Sequence, residues 1–161
     1  MVHKLLNGLS PAEADEVLAL GSRISVPSGG SLFRLGDSAE RLFLIERGRI
    51  RLSFPMLVRG KEENVFFEEE APGETVGWSA MVPPYCFTLS ATAPLETEVV
   101  GLPREALLAF FDRAPEIARK ICLNLTVLIG QRLQLVQAMY MREMQRIVEQ
   151  RSGKTTDAHL A

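Results

Sequence analysis

The chain has 161 residues, a formal net charge of −2, two cysteines and two histidines. Its length suits one domain, or one domain with an extended terminal helix, and 47% hydrophobic residues can build a core without disulfides or metal. The near-neutral balance excludes nucleic-acid binding driven by overall charge, and no apolar run reaches the about 18 residues of a membrane span.

The first element is a short helix within residues 8–21. Ser10-Pro11-Ala12-Glu13 has the form of a capping box, with Pro11 at the first helical position; Leu18 and Leu20 give an apolar side and Gly21 a stop. From residue 22 to 102 short runs of Val, Ile, Leu and Phe are punctuated by glycine. Leu42–Ile45, Ile50–Phe54, Asn64–Phe67 and Glu96–Val100 read as strands. Ile50, Leu52 and Phe54 alternate with Arg51 and Ser53, the pattern of a strand with one buried face. Strands at this spacing without helices between them predict an antiparallel sandwich or barrel. Residues 103–151 then turn helical: Pro103-Arg104-Glu105 starts a short helix through Phe111, and Pro115 starts a long one to about Arg151. Residues 152–161 read as a flexible tail.

The long helix carries two apolar stripes. One runs Ile121, Leu125, Leu128, Leu135, Met139 and the other Ile129, Leu133, Val136, Tyr140, Ile147. A surface helix needs one stripe, so two imply two partners: the β domain and a symmetry mate in a parallel homodimer. A helix wholly buried in its own domain is the other reading, against which the polar Arg142, Glu143, Gln145 and Arg146 argue. Gly130 costs helix stability, about 1 kcal/mol against alanine, and permits a close approach.

The local strings Leu32-Phe33-Arg34-Leu35-Gly36-Asp37, Leu42-Phe43-Leu44-Ile45-Glu46-Arg47-Gly48 and Pro72-Gly73-Glu74-Thr75-Val76-Gly77 stand in the order helix, glycine-punctuated strands, helix pair. In these, about residues 4–150 resemble the cyclic-nucleotide-binding domain of the catabolite activator family. The resemblance implies a mainly β fold with flanking helices, a double-stranded β-helix jelly roll followed by a long C-terminal dimerisation helix. It also implies a stand-alone, non-enzymatic regulatory module that senses a small ligand and signals through that helix. Transcription factors of this family continue into a winged helix-turn-helix, for which Val148 to Ala161 leaves no room.

In that family the segment after Gly77 is a phosphate-binding cassette, with a short helix whose amides face the cyclic phosphate. The resemblance places the ligand contacts at Gly77, Trp78, Ser79, Ala80, Phe87 and Thr88, and, on the long helix, at Gln131 and Arg132. The family's ribose-binding glutamate falls on Trp78 and its phosphate-binding arginine on Phe87; Thr88 alone keeps a hydroxyl where one is wanted. Losing a charge-assisted phosphate contact costs about 1.5–3 kcal/mol, so tight binding of cAMP or cGMP is not expected. Trp78, Tyr85 and Phe87 predict instead an uncharged aromatic wall. Either it serves a flatter, more apolar ligand, or it plugs a vestigial pocket and leaves an interaction or scaffold domain. Pro83-Pro84 stiffens the loop and shortens any cassette helix.

Other chemistry is sparse. Cys86 and Cys122 lack CxxC or CxxH spacing, which points to a reducing cytoplasm and against iron–sulfur or structural zinc. His3 and His159 lie near the ends, where disorder is the default, so no haem, cupin-type metal or acid–base site is expected. The basic residues from Arg34 to Lys61 and the acidic run through Glu68-Glu69-Glu70 read as solvated strand faces rather than a nucleic-acid surface. The ligand, if any, and a possible partner protein stay unnamed.

Overall fold

The computed structural model describes residues 3–157, with side chains for residues 3–150. Its glycine-punctuated middle forms eight strands: β1 (Ser22–Val26), β2 (Ser31–Phe33), β3 (Arg41–Arg47), β4 (Ile50–Val58), β5 (Lys61–Glu70), β6 (Thr75–Val76), β7 (Ser90–Thr92) and β8 (Thr97–Pro103). They pair antiparallel into two four-stranded sheets of order β1-β8-β3-β6 and β2-β7-β4-β5. This is the antiparallel sandwich that the strand spacing predicts, and the jelly roll that the family resemblance implies. In the chain, helix α1 (Pro11–Leu18) precedes these strands and α2 (Arg104–Arg113) and α3 (Pro115–Asp157) follow them.

The core forms where alternation demands it. Ile50 and Leu52 are buried while Arg51 between them is exposed. In β3 the four residues 42–45 are all buried, so both faces of that strand are covered. Phe33 of one sheet and Phe43 of the other stack at 5.8 Å, which carries the core across the two layers. The β3–β4 turn needs Gly48 at φ 85°, where a Cβ would lie 2.6 Å from the Glu96 carbonyl oxygen.

At the N-terminus the capping box is present: Ser10 Oγ accepts from the Glu13 amide at 3.2 Å, and Glu13 accepts from the Ser10 amide at 2.7 Å. The first turns of α3 are tied back to this segment. Asn124 donates to the carbonyls of Leu5 and Asn7 at 2.8 Å each, and Lys120 pairs with Glu13 at 3.1 Å. A 3-10 turn over Lys4–Leu6, which the sequence pattern does not announce, buries Leu5 and Leu6.

Contacts divide the chain into two units, Met1–Leu125 and Thr126–Ala161, and the division falls inside α3. In the second unit, Leu133, Leu135, Val136, Met139, Tyr140, Met141, Met144 and Val148 are all exposed. Leu135 and Met139 of one predicted stripe and Leu133, Val136 and Tyr140 of the other are thus exposed, while Ile147 is half-buried. Where a flexible tail is expected from 152, the helix runs on to Asp157; residues 158–161, His159 among them, lie outside the described residues.

Several element boundaries differ from expectation. Strand β4 continues through Pro55 to Val58, and β5 runs from Lys61 to Glu70 rather than Asn64–Phe67, because the two form one long hairpin. Helix α1 is shorter than the span 8–21. His3 is not at a loose end: it is 5% exposed, and burial lowers the pKa of its imidazole.

Candidate functional site

The cassette begins where β6 ends. Gly77 leaves the strand at φ 78° and caps a 3-10 turn over Trp78–Met81. A Cβ there would lie 3.0 Å from Phe43 Cδ2, 3.2 Å from the Arg41 carbonyl oxygen and 3.2 Å from Phe87 Cε1. Glycine at 77 is thus required twice, by the left-handed backbone and by the approach of the Phe87 ring.

Phe87 is 5% exposed. Its ring lies parallel to that of Phe33 with centroids 3.8 Å apart and planes at 13°. With Phe43 behind Phe33, three rings form a continuous stack between the sheets, and the position where the family resemblance implies an arginine is hydrocarbon.

The backbone around this ring is stitched to the loop after β2. The Phe87 amide donates to the Asp37 carbonyl at 3.0 Å, and the Gly36 amide donates to the Phe87 carbonyl at 2.8 Å. The Ala39 amide donates to the Tyr85 carbonyl at 2.7 Å, and Ser38 and Cys86 form an isolated antiparallel bridge. From α2, Arg104 donates to the Ala39 carbonyl at 2.8 Å and sets its guanidinium 4.3 Å over the Tyr85 ring. Arg104 therefore holds both sides of the seam.

The expected wall of Trp78, Tyr85 and Phe87 is not assembled. Phe87 turns into the core, Tyr85 is exposed at φ 60° under Arg104, and Trp78 is half-buried. Among the described residues no ring contact joins these three. Ser79 and Ala80 are buried, and Thr88 is exposed. On α3, within the second unit, Gln131 is exposed and Arg132 half-buried.

The acidic run is not a uniformly solvated face either. Glu68 pairs with Leu52 and Glu70 with Ile50, so both carboxylates share the face of those core residues. Glu70 is 8% exposed, and Glu68 Oε2 is withdrawn from solvent. Glu69 points the other way, to Arg51 at 2.7 Å and Arg49 at 3.2 Å, and those guanidiniums lower its pKa. The sequence reading missed Phe33, Phe43 and Arg104. The two phenylalanines stand in the quoted strings, but nothing local says that they meet Phe87. Among the described residues no group of three or more His, Cys, Asp or Glu is placed to hold a metal. No helix among them is long and apolar enough to cross a membrane.

Comparison with known proteins decides the family, since residues 23–114 match the cyclic nucleotide-binding domain. The chain belongs to the cyclic nucleotide-binding domain family. It is 33% identical over 129 residues to the cyclic AMP receptor protein of Thermus thermophilus, across 80% of this chain and 56% of that protein. The crystal structure of Thermus thermophilus catabolite activator protein matches with a TM-score of 0.74 at 29% identity, over 85% of this chain and 61% of that one. A lysophospholipase of Neurospora crassa is 32% identical over 98 residues, 61% of this chain but 6% of that protein. The chain thus spans about half the length of the first of these curated relatives and a small part of the second. Its jelly-roll fold is that of the catabolite activator type.

Proposed function

We propose that this chain is a cytoplasmic regulatory module whose cassette has exchanged its anion clamp for a packed aromatic plug, and which acts through α3 in a homodimer. The observation that carries this reading is the ring of Phe87, stacked 3.8 Å from Phe33 beneath Gly77. A cyclic phosphate at this position would meet hydrocarbon in place of a guanidinium. The 3-10 turn over Trp78–Met81 is too short to supply a helix dipole of any size in compensation. The module is regulatory rather than catalytic, and it does not bind cAMP or cGMP in the family's manner.

A second reading rests on Trp78, which is half-buried without a ring partner among the described residues. A flat, uncharged ligand that stacks on this indole would make the module a sensor of altered specificity. Calorimetric titration with cAMP, cGMP, cyclic dinucleotides and uncharged aromatic metabolites separates the two. Heat from none of them supports the plugged, ligand-free module; saturable heat from an uncharged aromatic compound supports the sensor. Micromolar binding of a cyclic nucleotide contradicts both.

A further inference from the structure

We propose that the outer face of the sheet β2-β7-β4-β5 carries a binding site for an uncharged, polyhydroxylated ligand, a sugar ring, seated on Phe66. The register gathers the site from three adjacent strands. Arg51 of β4 stands opposite Thr92 of β7 and Glu69 of β5, and Ser53 stands opposite Phe66. These residues alternate with Ile50 and Leu52, which face the core. With Asn64, two residues before Phe66, they line a groove of about 530 Å³, within the about 300–1,000 Å³ of small-ligand sites. A bulge completes the set. Leu52 pairs with Glu68 but Ser53 with Phe66, so Phe67 is an extra residue in β5. Strict alternation from Phe66 would turn Glu69 inward, and the extra residue returns it to the outer face.

The lining selects the chemistry of the ligand. Phe66 is 58% exposed and has no ring partner among the described residues, which leaves a flat apolar surface for the C–H face of a ring. Arg51 donates to Glu69 Oε2 at 2.7 Å, and Arg49 donates to Oε1 at 3.2 Å. An anion would have to displace Glu69 from Arg51, and a cation would have to displace Arg51 from Glu69. Among the described residues Ser53, Asn64 and Thr92 make no side-chain hydrogen bond, unlike Ser90 opposite Ser53, whose hydroxyl accepts from the Leu35 amide at 3.0 Å. Donors and acceptors thus stand together beside the ring. A hydroxyl both donates and accepts, so a sugar uses each of them, whereas a purely aromatic ligand would strip their water and return no hydrogen bond. The site shares no residue with the cassette and stands apart from the proposed function.

The test titrates the full chain with glucose, galactose, maltose and cellobiose, followed by calorimetry and by backbone amide shifts, with inorganic phosphate, choline and indole as comparators. Saturable millimolar or tighter binding of at least one sugar is expected, with shifts centred on residues 51–53, 64–69 and 90–92. Phe66→Leu should weaken it about tenfold while Phe66→Tyr retains it, which separates stacking on a ring from apolar burial. Thr92→Val should weaken it several-fold with far-ultraviolet dichroism unchanged. Absence of saturable binding by every sugar at high millimolar concentration, shifts centred on other residues, or undiminished affinity in Phe66→Leu would overturn the proposal. So would tighter binding of phosphate, choline or indole on this face, which would name an anion, a cation or a flat apolar molecule as the occupant.

Discussion

Phe87 touches Phe33 face to face and crowds the space beneath Gly77, so its removal leaves a hole that the surrounding sheets cannot readily fill. Phe87→Ala should cost about 3–5 kcal/mol, read from urea denaturation, without any gain in cyclic-nucleotide affinity. Phe87→Arg, the substitution that family resemblance suggests as a repair, should destabilise at least as much, because it buries a guanidinium among phenyl rings. A stable Phe87→Arg protein that binds cAMP would contradict this packing argument. His3 gives a second prediction. Burial holds its pKa below 6.5, with Glu46 opposing, so the folded state binds fewer protons than the unfolded chain just below that pH. Its contribution is complete above about pH 6.5 and is lost as the pH falls below it. The carboxylates of Glu13 and Glu69 are lowered from 4.5, and their contribution is lost only as the pH falls below that value. Melting temperatures from pH 7.5 to 5.5 should therefore fall in the wild type and flatten in His3→Leu. Identical slopes would show that His3 is not responsible. Neither residue's setting was legible in the sequence. Position 3 sits where chain ends usually fray, and Phe87 owes its burial to rings on two distant strands.

At the scale of elements, local signals were most informative where a short stretch satisfies its own polar groups. The capping box of α1 is of this kind, since Ser10 and Glu13 close it between themselves. Ser10→Ala should cost about 1 kcal/mol in chemical denaturation. Alternation placed β4, because Ile50 and Leu52 need only a one-sided core. By contrast, β6 and β7 have two and three residues, too few for any period, and exist because β3 and β4 offer them partners. The full reach of β5 was hidden by its glutamates, which look solvent-facing until the register with β4 turns Glu68 and Glu70 toward Leu52 and Ile50. The tie between α3 and the N-terminal segment was equally silent in sequence. Asn124→Ala removes both donors to the Leu5 and Asn7 carbonyls, and a loss of about 1–3 kcal/mol is expected. A loss well under 0.5 kcal/mol would mean that water replaces the amide at no cost.

For the whole molecule, the proposed function rests on the apolar side chains exposed along α3 and on the packed Phe87 ring in the cassette. Eight large apolar side chains exposed from Leu133 to Val148 are more than a solitary surface helix carries. Sedimentation at micromolar concentration should give a dimer, and Leu133→Glu with Met139→Glu should give a monomer that keeps its jelly roll. A wild type that sediments as a monomer at high micromolar concentration would remove the dimer from the account. The central claim, that Phe87 has replaced the anion clamp, is tested most directly by titrating the full chain with cAMP while following Trp78, the chain's single tryptophan, at the start of the cassette turn. Fluorescence and heat should show no saturable change up to about 1 mM, a concentration that corresponds to about 4 kcal/mol of binding. Saturation with a micromolar dissociation constant would contradict the account outright.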